Sequence, residues 1–151
     1  MSKHHVPWDI LIDTAKEAVD AATETLAAAQ RRLIEAQKQH ETLLGYRAEY
    51  LDKLAQSRES GLSIGALANQ HRFIDKLDQA VAQQSEAIAQ FEKGVAHAQR
   101  AWQESQRKLK SFDTLAERQN QRIQQQHSKQ EQRAADEHAT QQFVTRNRTP
   151  S

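Results

Sequence analysis

The side chains that most often carry chemistry are present in this chain, but not at the spacings that chemistry needs. Histidine occurs seven times, beginning with His4-His5. A zinc site draws three or four ligands from set spacings. No two of these histidines lie at ligand spacing with a third nearby, and no His-Glu-x-x-His occurs. Cysteine is absent, which removes thiolate metal sites, cysteine nucleophiles and disulfides. There is no Gly-rich phosphate loop, and no Ser/His/Asp grouping that a thin helical chain could enclose. Arg31-Arg32, Arg107-Lys108 and Lys110 form short basic clusters, each offset by Glu35, Glu104 or Asp113. Over all 151 residues, 21 basic side chains meet 20 acidic ones, so no net field seeks phosphate or nucleic acid. The chain reads as a non-enzyme with no cofactor, no metal and no nucleic-acid partner. Its chemistry is recognition by contact.

Contact residues need a scaffold, and the scaffold is written in sevens. Leu67, Ile74, Val81, Ile88, Val95, Trp102, Leu109, Ala116 and Ile123 form one series. Three residues after each come Gln70, Leu77, Gln84, Phe91, Ala98, Ser105, Phe112, Gln119 and Gln126. Seven with a second site at plus three is the a/d seam of a coiled-coil helix. An earlier set runs Ile12, Val19, Leu26, Leu33, His40, Arg47 and Leu54, with Ala15, Ala22, Ala29, Ala36, Leu43, Tyr50 and Ser57 at plus three. Only 5% of residues are aromatic, with four glycines and two prolines, as long helices require. No apolar run approaches a membrane span or a signal-peptide core, so the expectation is a cytosolic protein with no direct membrane insertion.

Between the two series lies Ser60-Gly61-Leu62-Ser63. Gly61 can end a helix in the left-handed conformation, and Ser63 can cap the next one. The fold expected is all-α: two long helices forming an antiparallel coiled-coil hairpin. Helix 1 covers about 7–59, the turn 60–63 and helix 2 about 64–145, in one domain, with 146–151 disordered and residues 1–5 frayed. Pro7 suits the first turn of helix 1.

The register follows from size. Pairing residues whose numbers sum to about 124 sets Ala15 against Leu109, Ala22 against Trp102, Ala29 against Val95 and Ala36 against Ile88. Small meets large at each step. The same register pairs Ile12 with Phe112 and Leu33 with Phe91. It sets His40 beside Gln84 as a polar layer, and Arg47 opposite Leu77 as an awkward one. Helix 1 then ends near Ala116 of its partner, and roughly 30 polar residues of helix 2, ~45 Å, overhang. A lone polar helix in water is marginal, so the overhang frays or is held by another protein.

Several stretches resemble the flagellar export family FliJ: Tyr46-Arg47-x-x-Tyr50, Phe73-Ile74-x-x-Leu77-x-x-Ala80-Val81-x-Gln83-Gln84, Trp102, Lys108 to Arg118, and Asp136-Glu137-x-Ala139. The resemblance covers nearly the whole chain. It implies a two-helix stalk similar to the central shaft of rotary ATPases, in the cytosol and peripherally associated with the inner-membrane flagellar export apparatus. It implies three partners: the hexameric export ATPase FliI, the export gate protein FlhA, and export chaperones. The joined terminal end would enter the ATPase ring. The gate-binding face maps onto Phe73, Leu77, Ala80 and Gln84, the last standing where the family has His.

From the residues alone, Phe73 lies one position before the seam and leaves a ring partly outside the groove. It either docks a partner or folds over the seam edge onto Tyr46 or Tyr50. In the overhang, Arg118, Arg122, Lys129 and Arg133 are candidate ring-contacting cations, with Gln119, Gln126 and Gln130 as polar neighbours. The bland alternative is a solvated face. The chain is expected to be a monomer. Its rivals are a generic coiled-coil adaptor or scaffold, and a nonflagellar type III secretion stalk.

Overall fold

The computed structural model describes residues 7–148, and the expectations for residues 1–5 and 149–151 fall outside them. Two long helices pack against each other: α1, Trp8–Glu59, and α2, Ile64–Arg148. No strand occurs among the described residues. α2 extends past the expected end near 145, so 146–148 are helical rather than disordered. Arg146 and Arg148 sit in its last turn, where cations complement the negative end of the helix dipole.

The helix ends follow the local chemistry. The Pro7 carbonyl accepts from the Leu11 amide at 3.2 Å, which makes Pro7 the N-cap of α1, one step before the first turn. Gly61 has φ +80°, closing α1 in the left-handed region. Ser63 caps α2 twice over: its Oγ accepts from the Ala66 amide at 3.3 Å and its carbonyl from Leu67 at 3.0 Å. A Cβ added at Gly61 would meet nothing within 4 Å, so conformation and not space demands glycine there. Gly61→Ala is therefore expected to cost roughly 1–2 kcal/mol, seen in urea unfolding as a lower midpoint with an unchanged slope.

The chain divides into two compact units where the sequence suggests one domain. The larger, Glu17–Gln106, holds most of α1, the turn and the first half of α2. Within it every α1 seam residue is buried or half-buried, as is every α2 seam residue except Phe91. Ala36, Leu54, Ile74, Leu77 and Ala98 are its most enclosed side chains. Alanine at alternate seam sites lets the helices approach while Trp102, Ile88 and Val95 fill the space opposite.

Lateral contacts fix the register of this unit. Trp102 Nε1 donates to Thr23 Oγ1 at 3.0 Å, Ser85 Oγ meets His40 Nε2 at 3.2 Å, and Arg47 pairs with Asp78. Gln84 Nε2 donates to Gln39 Oε1 at 3.2 Å, and Tyr50 stacks on Phe73. The residue numbers of each pair add to 123 or 125, one either side of the expected 124. The polar layer is built differently from the pairing expected. His40 turns to Ser85, and Gln84 instead donates to the Ala36 carbonyl at 2.9 Å and to Gln39. Arg47 avoids burial over Leu77 by reaching sideways to Asp78, both side chains staying well exposed. Such a pair contributes at most about 1 kcal/mol, but it relieves a guanidinium of an apolar layer.

The smaller unit joins the start of α1, through Lys16, to α2 from Arg107 onward. Ala15 is buried there, with Ile12, Leu109, Phe112, Ala116 and Gln119 half-buried. Trp8 closes the seam. Its ring lies tilted on Phe112, centroids 6.1 Å apart, and its Nε1 donates to Gln119 Oε1. Trp8 falls four residues before Ile12, at the seam position one heptad earlier, and extends the zipper past the Ala116 end expected. Beyond Gln119 the seam stops: every residue from 120 to 148 is exposed.

Candidate functional site

Two faces carry the candidate contact residues, one in each unit. In the larger unit Phe73, Leu77, Ala80 and Gln84 fall within an arc of about 60° on α2, at ~100° per residue. They share a face but not an exposure. Phe73 is 41% exposed while its inner side stacks on Tyr50, centroids 4.2 Å apart and rings inclined by 30°. Packing and presentation are thus combined in one ring: Tyr50 fixes the orientation in which Phe73 faces solvent. Tyr46, on the flank of α1, is 55% exposed. Leu77 is only 8% exposed and belongs to the seam, so it supports this patch from below and offers little surface to a partner. Ala80 and Gln84 are half-buried, the latter held by its two hydrogen bonds to α1. The outer surface here is therefore aromatic and small, without a buried charge to desolvate, which suits docking.

In the smaller unit Arg118, Arg122, Gln126, Lys129 and Arg133 are all exposed and fall within an arc of about 80° on α2. No acidic side chain between 118 and 133 shares that face. Glu131 points elsewhere and meets His127 at 3.3 Å. Gln119 stands apart from this set, because its amide oxygen accepts the Trp8 indole proton. Gln130 is exposed alongside. Four cations thus share one exposed face of α2 among the described residues.

Among the described residues no group of three or more His, Asp or Glu side chains converges on one point. No helix is long and apolar enough to cross a membrane. Hollows such as that lined by Ala28, Arg32, Glu35 and Phe91 are surface grooves between the helices.

A family model described as "Flagellar FliJ protein" matches residues 4–148. The chain belongs to the FliJ family. Among FliJ relatives, the flagellar FliJ protein of Escherichia coli K12 is 29% identical over 110 residues, covering 73% of this chain and 75% of its own. The flagellar FliJ protein of Salmonella typhi is 29% identical over 115 residues, covering 76% and 78% respectively. Among solved structures, CT670 of Chlamydia trachomatis, a proposed YscO homolog, superposes with a TM-score of 0.67 at 13% identity. That match covers 95% of this chain and 93% of the other, and at such identity it speaks for the shared fold alone.

The FliJ match spans both candidate faces, Phe73 to Gln84 and Arg118 to Arg133. Sequence reasoning missed three α1 partners of α2: Trp8, which donates to Gln119, Thr23, which accepts from Trp102, and Gln39, which accepts from Gln84 of the Phe73 face. The heptad count extended back by one position would have found Trp8. The other two are flank residues, for which the seam pattern carries no signal.

Proposed function

We infer that this chain is a non-catalytic stalk of the flagellar type III export apparatus, working in the cytoplasm at the inner-membrane face. The exposed end of α2 enters the ring of a hexameric FliI-like ATPase and promotes its assembly and turnover. The Phe73 patch engages a FlhA-like export gate, so one molecule links ATPase to gate, and export chaperones are escorted by the same protein. The observation that carries this reading is the abrupt end of the seam at Gln119, followed by 29 exposed helical residues, 120–148, inside the FliJ match. A helix that buries nothing of its own is stabilised by something else. Its cations and glutamines suit a polar bore in which strong apolar adhesion would lock one orientation. Membership of the flagellar family favours the flagellar system over a virulence secretion stalk, and over a general scaffold.

At the gate end Phe73 supplies the anchor and Ala80 leaves room beside it. Phe73→Ala is expected to weaken binding to the cytoplasmic part of the gate protein by about thirtyfold, as removal of an aromatic hot spot does. Helicity should stay intact, with at most ~1.5 kcal/mol lost from the stack on Tyr50. Calorimetric titration of the gate fragment alongside circular dichroism checks both. Unchanged affinity with a large loss of helicity would assign Phe73 to packing alone.

A further inference from the structure

The turn-proximal part of α1 carries a second seam on its outer face. Glu41, Leu44, Ala48, Leu51, Ala55 and Arg58 alternate by three and four residues, each one position after an inner-seam residue. They are therefore rotated about 100° from the groove that α2 fills. All six are exposed, Leu44 by 42% and Leu51 by 38%. Leucine and alanine at a/d spacing, ending in an acid at one end and a base at the other, are complementary to their own reverse.

We propose that this face binds a second copy of the same chain, α1 against α1, antiparallel about a two-fold axis. Matching residues whose numbers sum to about 99 sets Leu44 on the partner's Ala55, and Ala48 on the partner's Leu51. Each step joins large to small, the rule the inner seam obeys. The same register sets Glu41 on the partner's Arg58, and Lys38 beside the partner's Glu59. By symmetry each pair occurs twice, as an isologous interface requires. The parallel alternative would stack leucine on leucine, alanine on alanine, Glu41 on Glu41 and Arg58 on Arg58. Like charges at both ends exclude it. Lys38, Glu41 and Glu59 enter no ion pair among the described residues. Arg58 meets His71 Nε2 at 3.1 Å through one of its five donors, and its fork leaves others for a carboxylate. The interface uses neither Phe73 nor the exposed end of α2, and it goes beyond the stalk reading without depending on it. Two leucines per copy make a small contact, with a dissociation constant on the order of 100 μM. The pairing is thus reversible, and it forms where copies are concentrated.

Sedimentation equilibrium of the full chain from about ten to a thousand micromolar, at low salt, tests the proposal. A monomer–dimer equilibrium is expected, abolished by Leu51→Asp at unchanged helicity. Glu41→Arg and Arg58→Glu should each weaken pairing by about tenfold, since two ion pairs become two repulsions. The double variant E41R/R58E should return to within about threefold of the original. A chain monomeric across the range would overturn the proposal. So would pairing that survives Leu51→Asp, or charge reversals that the double variant does not rescue.

Discussion

Leu77→Ala is expected to lower the thermal midpoint of the hairpin on the order of 10 °C, with no specific defect in gate binding once the chain is folded. Leu77 is 8% exposed and holds a seam position of the larger unit, one step after Ile74. Removing a buried leucine forfeits its transfer energy and leaves a cavity that two stiff helices close poorly, costing roughly 2–5 kcal/mol. In a seam one side chain deep, no second layer compensates. A loss of that size shifts the midpoint by several degrees per kcal/mol. Phe73→Ala should do the reverse, sparing the fold and weakening the contact. Circular-dichroism melts and gate titrations of the two variants together separate the residue that builds the face from the residue that presents it. If Leu77→Ala melted normally yet bound the gate poorly, the side chain would point outward and the seam assignment would fail.

That division of labour inside a four-residue motif shows where sequence reading stopped. The heptads stated which residues face the partner helix, and the structure encloses nearly all of them, because side-chain direction on a helix follows from spacing alone. Gly61 and Ser63 were legible for the same reason: a left-handed φ and an N-cap each admit few residue types. Lateral choices were not legible. Whether Gln84 reaches His40 or the Ala36 carbonyl depends on rotamers and on the flank residue Gln39, which no periodicity marks. Arg47 escaped its apolar layer through Asp78, a residue off the seam. Phe91 shows the opposite error: it holds a seam position but lies 36% exposed beside the groove. Of the candidate ring contacts, the pattern singled out Gln119 correctly as a seam residue. Its partner went unseen because Trp8 precedes the first heptad counted. The cationic face from Arg118 to Arg133 was readable as a face, whereas what it meets depends on another molecule.

The stalk reading rests on the exposed part of α2, and a turnover assay addresses it directly. The seam that supports α2 ends at Gln119, and among the described residues every side chain from 120 to 148 is exposed. Deleting them leaves the seam from Trp8 to Gln119 intact, so a chain ending at Gln119 should keep the melting midpoint of the full protein. The phosphate-release rate of the hexameric export ATPase should be measured alone, with the full chain, and with the shortened chain. The account predicts that the full chain raises the rate, that the shortened chain leaves it at the basal value, and that both chains fold. Equal stimulation by a folded chain lacking residues 120–151 would contradict it.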